Sequence, residues 1–276
     1  MQELVLKRAD WRPEYARQRA PDTLPIEPVN DDLIVREETG RILLAQVRID
    51  DGDDLQTLTR ILRFRLRWDD GNSSTKSQGR LSGIRYRSRV FGFTEPKPLR
   101  KRFAASAAKL HEESPEAGAI IVQRTACLHD LLTEVAPEEA RLHDELVTGV
   151  VHPDWLLDGK PWTSGIINCT AALPYHTDSG NIKGSWSAML ALRRDVDGGW
   201  LHLPEYGLAL GIPDRSVTLF DGARTWHGVT GFKMRRADAY RFTLVWYAKQ
   251  GFAKVGAAAD EVARGARHAT EVLHAE

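Results

Sequence analysis

Three side chains able to ligate one metal ion stand in the second half of the chain. His176 and Asp178 sit two residues apart in Pro174-Tyr175-His176-Thr177-Asp178, and His227 follows 49 residues after Asp178 in Trp226-His227-Gly228-Val229. In extended chain, residues i and i+2 point to the same face, so His176 and Asp178 can share an ion. Two imidazoles and one carboxylate form the facial triad of non-haem Fe(II), which leaves positions open for substrate and dioxygen. An HxD pair alone is common; Arg241 adds specificity. In Arg241-Phe242-Thr243-Leu244-Val245-Trp246-Tyr247, alternation places Arg241, Thr243, Val245 and Tyr247 on one face and Phe242, Leu244 and Trp246 on the other. An arginine in a core strand is costly without an anionic partner. On a strand expected to neighbour that of His227, Arg241 can clamp the far carboxylate of a dicarboxylate co-substrate through its planar fork. Thr243 can add a hydroxyl donor. The competing reading is an arginine that leaves a barrel edge to meet a surface acid.

These residues need rigid carriers. After about residue 160, short β-rich runs alternate with turns: Gly165–Thr170, Ser187–Leu192, Trp200–Leu203, Ser216–Phe220, Trp226–Thr230 and Arg241–Tyr247. Asp197-Gly198-Gly199 has the composition of a hairpin turn. Short strands at this spacing predict an antiparallel barrel or jelly roll. Upstream, Arg41–Ile49 is predicted as a strand, and Leu55, Leu58, Ile61 and Leu62 give Asp54–Leu66 helical spacing. Helices are also expected from Pro98 to His111, over Leu128–Ala136, over Pro137–Leu146 and over Ala257–His274. Residues 1–30, with four prolines, read as an irregular arm. The expected division is an arm with a basic segment over 1–105 and a core over 106–276. His129-Asp130 and His143-Asp144 fall in helix-like sequence and are expected on solvated faces. Trp186 and Trp200 are expected in the core, and Asn168 reads equally as cavity lining or buried structural amide.

Three stretches resemble a known family: HTDSGNIKGS (His176–Ser185), GGWLHLPEYGL (Gly198–Leu208) and RFTLVWY (Arg241–Tyr247). They are similar to the TET/JBP group of 2-oxoglutarate- and Fe(II)-dependent dioxygenases, which oxidise the 5-methyl group of pyrimidines in nucleic acid. The resemblance covers roughly residues 160–250, with a weaker echo in Arg89–Phe93. It implies an α+β protein with a double-stranded β-helix (jelly-roll) core flanked by helices. It implies Fe(II) on His176, Asp178 and His227, with 2-oxoglutarate held by Arg241, Thr243 and His202. It also implies that Asn181 contacts a flipped base and that Tyr247 stacks on it. Two residues past that aromatic, where the TET pattern has a histidine, this chain has Lys249, so a partner of the base edge differs. The cysteine-rich zinc region of the large animal members is absent from this sequence. The expected reaction is oxidation of 5-methylcytosine in DNA to 5-hydroxymethylcytosine. Thymine, a protein side chain or a small metabolite are the alternative substrates, and a metal-free β-barrel binding module is the competing class.

Composition sets outer bounds. Among 276 residues, 38 basic and 38 acidic groups cancel, while 42% are hydrophobic. Eight Trp, eight Phe and six Tyr need burial, which excludes a wholly disordered chain. No apolar run reaches a membrane span, and the start lacks the pattern of a signal peptide. Two cysteines, Cys127 and Cys169, exclude a disulfide framework or a thiolate zinc site. An intracellular monomer, in cytoplasm or nucleus, is expected. The neutral total hides a basic window: Arg60–Arg102 holds 13 Lys or Arg against Asp69, Asp70 and Glu95. Aromatics such as Tyr86 and Phe91 interrupt it, as phosphate contact with base stacking would require. Arg85, Arg87 and Arg89, on one face of an extended segment, are the candidate phosphate contacts on duplex DNA. The bland alternative is a set of solvated charges balanced in space by acidic runs.

Overall fold

Alternating apolar runs pair into two facing sheets, and the helices cover the outer side of the larger one. A computed structural model describes the chain except residues 12–17, 19, 23, 51, 71–86, 170–171 and 276. The first half holds β1 (Gln2–Leu6), β2 (Leu33–Glu37), β3 (Ile42–Arg48), α1 (Asp53–Phe64), β4 (Asp69–Asp70), β5 (Arg87–Thr94) and β6 (Ser106–Ala107). Helices α2 (Leu110–Glu113), α3 (Pro115–Val135) and α4 (Pro137–Thr148) follow. Then come β7 (Ser164–Asn168), β8 (Leu173–His176), β9 (Ser187–Arg194), β10 (Val196–Gly198), β11 (Leu201–Leu203) and β12 (Leu208–Leu210). The chain finishes with β13 (Ser216–Phe220), β14 (His227–Val229), β15 (Phe232–Met234), β16 (Tyr240–Tyr247) and α5 (Ala258–Ala275).

The large sheet has the order β1-β2-β3-β13-β9-β16-β7-β5-β4, with β6 on β5; the small one runs β12-β11-β14-β8. Apolar side chains of both sheets, among them Leu44, Met189, Phe220, Leu201, Leu210 and Val229, form one core between them. On the outer side of the large sheet, Leu190, Phe242, Leu244 and Trp246 pack under Leu55, Leu58, Ile61 and Leu62 of α1 and Ile121, Leu128 and Leu132 of α3. This is a double-stranded β-helix with a helical cover. The four α1 positions read from periodicity are the four buried ones.

Several expectations change. The boundary expected at 105/106 cuts through one sheet, because β3 pairs with β13 and β5 with β7. The arm carries a strand, β1, parallel to β2. Pro98 opens only a single turn: Lys101 is left-handed at φ 55°, and Lys97 bridges back to Arg102, so no helix continues to His111. Asp197-Gly198-Gly199 does not close a hairpin between neighbours; β10 pairs with β15, and the chain passes from the large sheet to the small one. His143 is fully buried rather than solvated, its Nδ1 accepting the Trp186 N–H at 3.1 Å, and burial pushes its pKa down to about 3. His129 pairs with Asp144 at 2.9 Å. Trp186 is core, while Trp200 is half-buried.

One close approach locks the wall that carries the site. A Cβ on Gly165 of β7 would lie 1.9 Å from the Phe91 ring, which sits edge-on to Trp246. Gly165→Ala is therefore expected to cost about 1–3 kcal/mol through overpacking and to lower the melting temperature by several degrees. An unchanged thermal midpoint would mean that Phe91 turns aside without loss.

Candidate active site

The last residue of β8 and the first of β14 bring two imidazoles together. His176 and His227 are directly opposed in the antiparallel ladder, their ring centroids 4.4 Å apart. Asp178 lies just past β8, where its backbone N–H donates to the Gly222 carbonyl at 2.8 Å. A Cβ on Gly222 would come within 2.6 Å of Asp178 Oδ2, so the turn after β13 must be bare for the carboxylate to sit there. One ligand atom from each of the three residues falls within 4.8 Å of the others. Each histidine donates its Nδ1–H to a backbone carbonyl two residues earlier: His176 to Pro174 at 2.8 Å and His227 to Thr225 at 2.9 Å. A carbonyl only accepts, so the proton is on Nδ1 and the Nε2 lone pair is left for a metal. Burial, reinforced by His176, pushes the His227 pKa down to about 4, which keeps it in the neutral, ligating form. Two nitrogens and one carboxylate oxygen suit Fe(II).

The three ligands open into a cavity of about 390 Å³ between the sheets. Arg241, Thr243, Val245 and Tyr247 all line it, while Phe242, Leu244 and Trp246 face the helical core, as alternation predicts. The expected neighbouring strand is a different matter. β16 lies between β9 and β7 in the large sheet and β14 in the small sheet, so Arg241 faces His227 from the opposite wall. Arg241 is only 3% exposed and donates to the Gly199 carbonyl at 3.2 Å. Its guanidinium also stands 5.2 Å from the Phe232 ring. Gly199, at φ 68°, leaves room for it, since a Cβ there would be 2.8 Å from Arg241 Nε. Among the described residues no carboxylate pairs with Arg241, and burial together with Arg193 pushes its pKa down to about 9. A buried cation with most of its fork open calls for an anionic ligand. Thr243 and Asn168 are ladder partners beside it, and Asn168 lines the cavity.

At the other end of β16 stand Tyr247, Lys249 and Asn181. Lys249 bridges to Asn181 through the backbone, places Nζ 3.4 Å from Asn181 Oδ1, and lies 4.6 Å from the Tyr247 ring centre. Asn181 is 3% exposed, and its Nδ2 has no partner among the described residues. Burial raises the Tyr247 pKa, so its hydroxyl stays neutral, and lowers that of Lys249 against the pull of Asp178 and Glu95.

Other expected site residues lie elsewhere. His202 does not face the cavity: Leu201 does, and alternation turns His202 outward, where the Tyr175 hydroxyl meets its Nδ1. Arg85 lies outside the described residues. Arg87 is exposed at the start of β5. Arg89 is buried and ion-paired with Glu113, on the strand face that carries Phe91 under the helices, so it cannot reach a duplex. The described members of the basic window that reach the cavity are Lys97 and Arg102, from the loop between β5 and β6, with Glu95 bound to Lys97 at 2.7 Å. The helix expected from Pro98 hides this loop in the sequence, since the single turn at Pro98–Arg100 gives no local sign that the chain doubles back.

The fold and its three converging ligands define a double-stranded β-helix with a candidate facial-triad metal centre. Among solved structures, the chain is similar to NgTET1 in complex with 5mC DNA, with a TM-score of 0.56 and 15% identity over 86% of this chain and 85% of that one. A putative 2OG-Fe(II) oxygenase family protein from Caulobacter crescentus aligns at a TM-score of 0.44, with 13% identity over 75% and 77% of the two chains. In sequence, 124 residues are 27% identical to the bifunctional helicase and thymine dioxygenase JBP2 of Trypanosoma brucei brucei. That match spans 45% of this chain and 11% of the relative. No family model matches. No helix among the described residues is long and apolar enough to cross a membrane.

Proposed function

We propose that this chain is a 2-oxoglutarate- and Fe(II)-dependent dioxygenase that oxidises the 5-methyl group of a pyrimidine in DNA. The observation that carries this reading is the pairing of His176, Asp178 and His227 with a buried Arg241 that meets no carboxylate among the described residues, across one cavity. Bound iron supplies the activation of dioxygen that couples loss of carbon dioxide from 2-oxoglutarate to oxidation of a C–H bond. The protein does the rest. His176, Asp178 and His227 hold the metal through Nε2, carboxylate oxygen and Nε2. Arg241 takes the far carboxylate of 2-oxoglutarate, with Thr243 adding a hydroxyl donor. Val245, Leu201, Val229, Phe220 and Met189 line the cavity with apolar surface and exclude water. A methyl group stacked inside a duplex cannot enter such a cavity, so the base must be extruded. Tyr247 then offers a ring for stacking, and Lys97 and Arg102 place cations beside the flanking phosphates. Mass spectrometry of nucleosides from treated DNA tests the proposal: hydroxymethylated pyrimidine is expected with iron and 2-oxoglutarate present. Succinate release driven by a peptide or metabolite but not by DNA would overturn it.

One observation favours thymine over 5-methylcytosine as the base. An ammonium has no lone pair, so Lys249 can be met only by the oxygen of the Asn181 amide, and Nδ2 is left as a buried donor without a partner among the described residues. A buried donor without an acceptor costs about 1–3 kcal/mol. Beside its methyl group thymine presents a carbonyl, an acceptor, whereas 5-methylcytosine presents an amino donor. Asn181→Asp, which replaces the donor by an acceptor, is expected to shift the ratio of methylcytosine to thymine oxidation about tenfold towards methylcytosine, the effect of one hydrogen bond. Two duplexes differing at a single base measure that ratio. A ratio that does not move would remove Asn181 from base reading.

A further inference from the structure

A second concave site lies outside the barrel, between α1 and the ends of β9 and β16, with a volume of about 420 Å³. Its chemistry is guanidinium and aromatic ring: Arg60, Arg63 and Phe64 come from one face of α1, Arg194 from the end of β9, Arg215 from the turn before β13, and Tyr240 from the start of β16. The face of α1 that bears them is the one left over after Leu55, Leu58, Ile61 and Leu62 enter the core. Tyr240 stands seven residues from Tyr247, so the groove is roughly 23 Å along the strand from the base-binding end of the cavity. One nucleotide cannot occupy both.

The arginines are held in place. Asp238 accepts from Arg63 Nη2 through its carbonyl at 2.9 Å and from Arg194 Nη2 through its carboxylate at 2.6 Å. The Tyr240 ring lies 4.8 Å from the Arg63 guanidinium and 5.4 Å from that of Arg194. Tyr240 in turn stacks on Phe242, which anchors it to the core under α1. Arg215 bonds Asp214 at 3.0 Å. Arg60, one turn before Phe64, donates to the Thr57 hydroxyl at 3.3 Å. Among the described residues, Arg60, Arg63 and Arg194 meet one carboxylate between them, Asp238, which Arg236 also approaches at 3.4 Å, and each of the three has more N–H donors than the bonds named here use. Beside them the Phe64 ring is 70% exposed and 4.6 Å from the Arg63 guanidinium. Oriented guanidinium forks suit phosphate, and an exposed ring beside them suits a stacked base.

We propose that this groove binds a single-stranded phosphodiester chain, with phosphates on Arg60 and Arg194 and a base on Phe64. It gives the helical part of the basic window a role that the catalytic cavity does not. A nucleic acid engaged here is a segment distant from the one that presents the reacting base, which lets the protein hold two segments at once. Binding needs no turnover, so the proposal stands or falls apart from the dioxygenase reading.

The test is fluorescence anisotropy of the whole chain with a labelled deoxyadenylate strand, which carries no 5-methylpyrimidine, at several salt concentrations. Arg60→Gln combined with Arg194→Gln is expected to weaken binding tenfold or more and to reduce the log–log salt slope by about 1.4, the loss of two contacts on a single strand. Phe64→Ala is expected to weaken it roughly tenfold with the slope unchanged, because stacking releases no counterions. All three positions are exposed or half-exposed on the outer surface, and melting curves of the variants should overlay the parent's. Adenosine monophosphate should displace the strand only at far higher concentration. Strand binding with parental affinity and slope in the arginine variant would overturn the proposal. So would displacement by the mononucleotide at matched concentration, which would make the groove a nucleotide site.

Discussion

Alanine at His176 or Asp178 is expected to abolish substrate-dependent succinate release and to weaken Fe(II) binding by more than about a hundredfold. Loss of a hydrogen bond behind a ligand already costs about 10–100-fold in metal affinity, and loss of the ligand itself costs more. The fold should survive. Both side chains are partly exposed at a cavity rim and neither belongs to the apolar cores. Isothermal titration with Fe(II) under anaerobic conditions reads the affinity, and circular dichroism reads the fold. Parental turnover in either variant would remove the triad from the reaction. The surrounding turn belongs to the same candidate site: Gly222 leaves space for the Asp178 carboxylate and Thr225 orients His227, so the segment after β13 shapes the candidate metal centre without supplying a ligand.

The second large effect is expected at Arg241. Arg241→Lys keeps a positive charge but replaces two parallel N–H donors with a point charge on a shorter reach. Losing one charge-assisted hydrogen bond costs about 1.5–3 kcal/mol, so the KM for 2-oxoglutarate should rise roughly 10–100-fold. The KM for DNA should stay near its parental value, because Tyr247, Asn181 and Lys249 stand at the opposite end of β16. Steady-state succinate assays with each substrate varied in turn give both constants. An unaltered KM for 2-oxoglutarate would mean that another cation holds the carboxylate; Lys97, Arg102 and Lys249 also line the cavity.

Much of this site is legible in the sequence, for a local reason. The period-2 face of Arg241–Tyr247 and the i, i+2 relation of His176 and Asp178 depend only on strand geometry, and both carry over into the structure. The α1 stripe is local in the same sense, since 3.6-residue periodicity alone selects Leu55, Leu58, Ile61 and Leu62. His202 fails by one residue of parity. The resemblance assigns His202 to the co-substrate, whereas the Leu201-His202-Leu203 alternation turns both leucines into the apolar core and His202 away from it. Arg89 fails on burial: it shares a face with Phe91, and that face is covered by helices whose approach no local pattern announces.

By itself the sequence determined the candidate ligand set, the inward face of β16 and the call for an anion beside Arg241, because residue type and strand period suffice for each. Only the tertiary structure decided that Arg241 and His227 face each other from opposite sheets and that Lys97 and Arg102 enter the cavity. It also decided that Asn181 is turned by Lys249 to leave a buried donor. Those outcomes depend on strand order and on which faces two sheets and a helical layer bury together. Both are set by hydrogen-bonded pairings between segments far apart in the chain, such as β3 with β13 and β5 with β7, and no periodicity within one segment encodes them.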